Sequence, residues 1–271
     1  MKKINTQKAN PISTKKVLVM LGCLVEKNIK NQYRRSMLGV VWTVLNPLLN
    51  MLVMAFVFSK LFGRNSINMD YPVYVLSGNI VFGLMRSATT MAMPSLVCNY
   101  DLMAKTRTPY FVFPLSNVIT ATVNFGFSLI ALILVMLVRL SNGVRFYWTG
   151  LMIFLPWLPM IFLFSAGLSF FLAVVYVRFR DIKHIYNVFL TLWIYLTPVF
   201  YDLETLKLDS KYVNILKINP MYHYLKYFRE VLIGNVPGWR TWVVCLGAGI
   251  LSFVLGMVVF KLMKKKLIFY I

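Results

Sequence analysis

The residues that could do chemistry in this chain are few and scattered. The carboxylates are Glu26, Asp70, Asp101, Asp181, Asp202, Glu204, Asp209 and Glu230, and the histidines are His184 and His223. No local pattern pairs the acids for glycosyl or acyl transfer, which needs a proton donor and a base held across one bond. No G-x-x-x-x-G-K-[ST] stretch is present to cradle a nucleotide phosphate. Cys23, Cys98 and Cys245 are isolated from one another and from histidine at metal spacing, so they read as packing, with neither disulfide nor metal. What remains is binding and movement, and any uphill work must be powered by another polypeptide.

The elements that position these residues are membrane elements. Of 271 residues 59% are hydrophobic and 14% charged, and the mean hydropathy is +0.70. A soluble domain is about half apolar and about a quarter charged. Repeated apolar runs of about 20 residues, each able to cross about 30 Å of hydrocarbon, indicate a multi-pass membrane protein. The net charge of +21 would suggest nucleic acid in a soluble chain. Here Lys and Arg collect beside the apolar runs, as cytoplasmic flanks and headgroup contacts do, so no nucleic-acid partner is expected. The first apolar run starts too late and continues too long for a secretory signal.

The fold class expected is all-α and integral to the membrane: six transmembrane helices, an N-terminal amphipathic interfacial helix, and re-entrant outer helices before the last span. After a polar tail with Lys2, Lys3 and Lys8, the stretch Lys15 to Tyr33 places Leu18, Leu21, Val25 and Ile29 on one face and Lys27, Lys30 and Asn31 on another. That pattern suits a helix lying in the membrane surface. Residues 1–35 therefore form a cytoplasmic tail and interfacial helix, and 36–263 the transmembrane domain. Its spans are expected at 40–62, 71–98, 111–140, 148–177, 184–200 and 239–260, followed by a basic tail over 264–271. Both ends are basic and so cytoplasmic. Lys105, Arg107, Arg178, Arg180 and Lys183 place the second and fourth connections on the same side. The long fifth connection, 201–238, carries Lys207, Lys211, Lys217, Lys226 and Arg229 and opposes the rule, but long loops count for less, and it is kept outside. Within it Asn219 reads as an N-cap, Pro220 as the first helical residue and Gly234 as the stop. Too short to span, this segment dips into the outer leaflet, where irregular backbone survives only against protein or a cavity.

The acids lie outside the spans or at their ends, which argues against a proton-coupled carrier. Arg86, beside Ser87, Thr89 and Thr90, is the one charge at depth. It could meet a phosphate or pair with backbone carbonyls at a helix break, and the second reading takes precedence. Trp42, Thr43, Asn46 and Asn50 share an arc of about 100° on the first span. Asn117, Thr120, Asn124 and Ser128 share a face of the third, and Tyr186, Phe189, Trp193 and Phe200 one of about 60° on the fifth. Polar stripes are commonly interhelical glue, and aromatic stripes packing. Together they also match a sugar polymer, which needs amides and hydroxyls for its own hydroxyls and flat rings for its C–H faces. Ala248, Ser252 and Gly256 are small at helical spacing and indicate close packing.

At the head of the first span stands Tyr33-Arg34-Arg35-Ser36-Met37-Leu38-Gly39-Val40-Val41-Trp42, running on to Asn46-Pro47. This resembles the opening of ABC-2 type permeases in the branch that exports O-antigen, teichoic acid and related cell-wall polymers. Asn99, Leu102, Lys105, Pro109 and Pro114 resemble that family's coupling segment, and Arg178-Phe179-Arg180-Asp181-Ile182 its basic turn before the fifth span. Thr197-Pro198-Val199-Phe200-Tyr201 and Asn219-Pro220 through Phe228-Arg229 resemble its exit and outer helix. Gln32 stands where a basic residue is frequent, and Thr197 where Ser is commoner.

The resemblance implies a homodimer in a bacterial plasma (inner) membrane, with two ATP-binding subunits docked beneath and a lipid-linked polysaccharide passing along the seam. ATP and Mg would be bound by those partners, and this chain would hold no cofactor. By the same analogy Glu26, Arg34, Arg35, Asn99, Asp101, Leu102, Met103 and Lys105 couple to the ATPase. Trp42, Asn46, Asn50, Tyr186, Phe189, Trp193 and Phe200 line the conduit, and Tyr201, Tyr224 and Phe228 gate it. The nearest rival is an ABC-2 permease for a drug or small lipid. A membrane glycosyltransferase would need paired carboxylates among Asp202, Glu204 and Asp209, and none are patterned so.

Overall fold

The computed structural model describes residues 14–33, 39, 41–61, 69–106, 108–140, 144–145, 147–203 and 210–270. All regular structure among them is helical: α1 Thr14–Tyr33, α2 Val41–Leu61, α3 Tyr71–Ala92, α4 Ser95–Cys98, α5 Tyr100–Lys105, α6 Val112–Val138, α7 Trp148–Arg178, α8 Ile182–Leu196, α9 Ser210–Ile218, α10 Pro220–Ile233 and α11 Trp239–Tyr270. Three described segments are long and apolar enough to cross a membrane unaided: Val112–Val138, Met152–Arg178 and Trp239–Met263. Three other elements depart from that pattern for visible reasons. α3 is long enough but carries Ser77, Asn79, Arg86, Ser87, Thr89 and Thr90. α8 has 15 residues, about 22 Å at 1.5 Å per residue. α2 has 21 residues and carries Asn46, Pro47 and Asn50 inside it.

Prolines redraw several expected boundaries. The span expected over 71–98 stops at Ala92, because Pro94 has no N–H to give the helix and its ring clashes with the preceding turn. The chain then resumes as the short helices α4 and α5, so much of the expected coupling segment is helical. The span expected over 184–200 ends at Leu196, because Pro198 forces Thr197 into extended backbone, φ −104° and ψ 131°. Phe200 is therefore off the helix that carries Tyr186, Phe189 and Trp193. At the C-terminal end α11 runs on through the lysines to Tyr270, since lysine is a good helix former and no Gly or Pro intervenes.

α3 is the hub, packing against α2, α6, α7, α8 and α10. α7 and α11 form the most extensive helix pair. A Cβ on Gly256 would run into the carbonyl of Gly167, and one on Gly167 into the backbone of Ser252. Ser252 Oγ donates to the Phe164 carbonyl at 2.9 Å, so small residues let the two backbones touch and a hydroxyl fastens them. The aromatic centre of the core joins Phe125, Phe154, Trp157 and Phe228, with the Trp157 and Phe228 centroids 5.0 Å apart.

Candidate functional site: a polar groove, its coupling surface and its exit

Most of α3 between its first turn and Ala92 is buried. The residues of that stretch that are not are Asn79, Gly83, Arg86, Ser87, Thr90 and Met91. Asn79, Gly83, Arg86, Ser87 and Thr90 fall within an arc of about 100°. One helix thus buries its apolar faces in protein and leaves a polar stripe open, the reverse of a lipid-facing arrangement.

Asn79, Gly83 and Ser87 of this stripe, with Ile80 and Leu84, form one wall of a groove of about 310 Å³. α2 contributes Trp42, Thr43, Asn46, Pro47 and Asn50, α6 contributes Asn124 and Ser128, and Gln32 of α1 reaches in from below. Asn124 Nδ2 donates to Gln32 Oε1 at 3.1 Å, yet Asn124 Oδ1 and Asn79 Nδ2 are buried atoms with no hydrogen-bond partner. Buried amide atoms are nearly always paired, so two unpaired ones on facing walls mark a place shaped for a polar ligand or water. The polar face of α6 divides in two. Asn117 Oδ1 and Thr120 Oγ1 accept from Asn28 Nδ2 of α1, at 3.2 Å and 3.4 Å, and serve as glue, whereas Asn124 and Ser128 face the groove.

The expected conduit residues separate accordingly. Trp42, Asn46 and Asn50 line the groove. Tyr186 is buried and donates to Thr89 Oγ1 at 3.0 Å. Phe189, about half exposed at 48%, lies between Tyr186 and Trp193, with centroids 6.1 Å and 5.2 Å away. Phe200 is buried against Tyr195. Asn79, Ser87 and Gly83 were not expected at the site. Their spacing of four on α3 was the available signal, diluted there by the hydroxyls that bond the helix's own carbonyls, such as Thr90 Oγ1 to Arg86 O at 2.7 Å.

At the opposite end of α3, the expected coupling residues gather. Lys27 Nζ of α1 donates to Asn99 Oδ1 at 3.1 Å, which sets the interfacial helix against α5. Asp101, Leu102 and Lys105 are exposed and Met103 is half-buried, so α5 presents an open surface with Leu102 and Tyr100 as its apolar points. Glu26 forms an ion pair with Lys30 one turn on, at 2.6 Å. The hydrogen bond and charge of Lys30 hold the Glu26 carboxyl below its usual range. Arg34, Arg35 and Arg107 lie outside the described residues, as do Glu204 and Asp209.

After α8, at the expected exit, comes an irregular stretch whose carbonyls are answered one by one. Asn219 Nδ2 donates to Leu196 O and Thr197 Oγ1, at 3.4 Å and 2.8 Å. Arg229 donates to Pro198 O at 2.8 Å and Val199 O at 3.1 Å. Tyr71 Oη donates to Phe200 O at 3.1 Å, and Tyr74 Oη to Tyr201 O at 2.6 Å. Asn219 also accepts from Met221 N and from Trp193 Nε1, at 3.0 Å and 2.9 Å, so one side chain caps α10 and ties it to α8. Gly234 ends α10 in the left-handed region, φ 83°. α10 is itself core: Tyr224 and Phe228 are buried, with Tyr224 Oη bonded to Cys245 O at 2.6 Å. Tyr201, half-buried, donates to Tyr195 O at 2.7 Å. An unpaired buried carbonyl costs about 1–3 kcal/mol, and this lattice of donors removes that cost.

No group of three or more metal-ligating side chains occurs among the described residues. Residues 21–233 match the ABC-2 type transporter family. The O-antigen export system permease protein RfbA of Myxococcus xanthus is 32% identical over 213 residues, covering 78% of this chain and 79% of that protein. A protein of the same name from Klebsiella pneumoniae is 26% identical over 250 residues, 90% of this chain and 92% of its own length. The polysialic acid transport protein KpsM of Escherichia coli is 23% identical over 223 residues, 82% and 83% of the two chains.

Proposed function

This chain belongs to the ABC-2 type transporter family, and we propose that it is the permease subunit of an ATP-driven exporter for a lipid-linked cell-envelope polysaccharide. One observation carries the reading beyond family membership: the open face of α3 is polar and meets the amides of α2 and α6 across a groove with unpaired Asn79 and Asn124 atoms. A glycan offers hydroxyls to such amides, and the exposed rings of Trp42 and Phe189 offer flat surfaces to its C–H faces. A hydrophobic drug would leave the amides unanswered.

In this reading α2, α3, α6, α7, α8 and α11 are the six spans, both termini are cytoplasmic, and two copies meet in the plasma (inner) membrane with the groove facing the seam. Separate ATPase subunits dock on α5 and α1. Their movement reaches the groove by two bonded routes. Lys27 and Asn99 join α1 to the N-terminus of α5, and Asn28 joins α1 to α6 through Asn117 and Thr120. Displacing α5 and α1 therefore shifts the two polar walls relative to α2. The donor lattice around Thr197–Tyr201 holds the exit backbone in place while the seam opens, with Tyr224 and Phe228 as anchors and Tyr201 nearer the passage.

The test is depletion of this chain in its native cell. Lipid-linked glycan of full length should accumulate inside, and the purified chain should retain an ATPase subunit whose hydrolysis is needed for release. Short unpolymerised glycan, or export that survives loss of ATP hydrolysis, would rule the reading out.

A further inference from the structure

A second hollow, of about 340 Å³, lies away from the groove, among α6, α7 and α10. α6 contributes Leu132 and Ile133, the head of α7 Phe154 with Tyr147 just before it, and α10 Phe228 and Val231. The side chains around it are aliphatic, aromatic or methionine. Close-packed interiors leave few voids larger than a water. This one is about twice the 150 Å³ of an apolar cavity that takes up benzene and stays dry.

Its walls are held in place. Phe154 and Phe228 belong to the aromatic centre, with centroids 5.9 Å apart and both packed on Trp157. α7 and α10 already touch: a Cβ on Gly150 would strike the Val231 carbonyl, and one on Gly234 the Tyr147 ring. The gap beside α6 therefore does not close by α10 shifting toward α7. An apolar wall offers water no hydrogen bond, so the occupant it suits is a hydrocarbon.

The mouth identifies the source of that hydrocarbon. Ile133 stands 21 residues after Val112, about 32 Å along α6 from the end that follows the coupling helices. The hollow thus lies in the leaflet remote from α5. Ile133 is half exposed, and Ile130, Leu134 and Leu137 beside it on α6 are exposed too, as is Leu155 on α7. The opening is continuous with the apolar surface that meets lipid tails. Arg145 is exposed two residues before Tyr147, within about 7 Å along the chain, and its guanidinium suits a phosphate headgroup.

We propose that this hollow is a phospholipid site: one acyl chain of a lipid in that leaflet fills it, with the lipid's phosphate beside Arg145. The chain completes the support behind Phe228 and Val231, so the seating of the outer helix α10 depends on bound lipid. The inference needs the membrane placement of α6 and α7 and goes beyond the exporter reading, since it is independent of the cargo.

The experiment uses the complete transporter, this chain with its ATPase, in phosphatidylcholine nanodiscs. The probe is phosphatidylglycerol with a photoactivatable diazirine on one acyl chain. Irradiation and peptide mapping should label Leu132 and Phe154, which line the hollow, and also Leu251 and Val254, which are exposed on α11. Ile133→Trp, which puts an indole in the mouth, should reduce labelling at Leu132 and Phe154 about fivefold and leave Leu251 and Val254 unchanged. Arg145→Gln should reduce it about twofold. Size-exclusion elution with the ATPase subunit checks that each variant is assembled. Ile133→Phe, a smaller intrusion with a smaller drop, replaces Ile133→Trp if that variant fails the check. Equal labelling of Leu132 and Phe154 in wild type and the Ile133 variant overturns the inference. So does displacement of the label by polyprenyl phosphate at equal concentration, which would make the hollow a seat for the tail of a lipid-linked cargo. Disulfide formation between two copies of an Ile133→Cys variant would make it an interface between copies and overturn it too. The exporter reading stands under each of these results, because glycan export is measured separately.

Discussion

The guanidinium of Arg229, on α10, lies 3.5 Å over the ring of Tyr74, on α3. It donates to the Tyr74 carbonyl at 3.2 Å as well as to Pro198 and Val199. One side chain thereby joins the outer helix, the start of the hub helix and the broken end of α8. Arg229→Ala would leave the Val199 carbonyl unanswered and remove one of two donors from the Tyr74 and Pro198 carbonyls, which keep the Ser77 and Tyr74 hydroxyls, and the expected cost is about 2 kcal/mol. A thermal unfolding series in detergent should show this loss. Tyr74→Phe, which keeps the ring under the guanidinium but removes the bond to Tyr201, should cost about 1 kcal/mol.

Asn79→Leu separates binding from stability. The Asn79 Nδ2 atom is unpaired among the described residues, so replacing it removes an unanswered donor, and melting temperature should stay level or rise. Export should fall roughly fivefold, the equivalent of about 1 kcal/mol for one bond to substrate. A parallel drop in melting temperature and export would instead make Asn79 structural.

Leu102→Asp tests the coupling surface. Leu102 is 40% exposed on α5, so the chain's own stability should change by less than about 0.5 kcal/mol. Co-purification of the ATPase subunit should be lost. Asn28→Leu should leave docking intact and reduce transport per ATP hydrolysed, because it cuts the bonds from α1 to α6.

Gly39 has φ 47°, and Trp42 N bonds its carbonyl at 3.3 Å, so the chain turns there as it passes from α1 to α2. A residue with a Cβ is strained by about 1–2 kcal/mol in that region. Gly39→Ala should lower melting temperature by that equivalent, and Gly39→Asn by less. Loss of dimer and of ATPase binding should precede loss of coupling as the side chain grows.

Much of this molecule is legible in its residues because its punctuation is local. Asn219, Pro220 and Gly234 delimit α10 as read from the chain, since a cap, an N1 proline and a left-handed stop act within one turn. The small face of Ala248, Ser252 and Gly256 announces a tight helix pair. The breaks at Pro94 and Pro198 were equally local, yet apolar runs through them hid where the helices end. The aromatic face of α8 was harder to read, because helical spacing cannot say which rings a neighbouring helix will cover. Tyr186 was covered and Phe189 was not.

By itself the sequence determined the membrane environment and the family, since composition, charge flanks and ordered motifs need no third dimension. Tertiary structure alone decided which polar residues bond to each other and which are left facing a groove. Asn117 and Asn124 stand on the same face of α6, seven residues apart. α1 meets both, Asn117 Oδ1 through Asn28 and Asn124 Nδ2 through Gln32, but it leaves Asn124 Oδ1 unpaired beside the groove, a difference only the placement of α1 decides. The physical reason is range: propensity and periodicity act over a few residues, whereas hydrogen-bond satisfaction is settled between helices far apart in the chain.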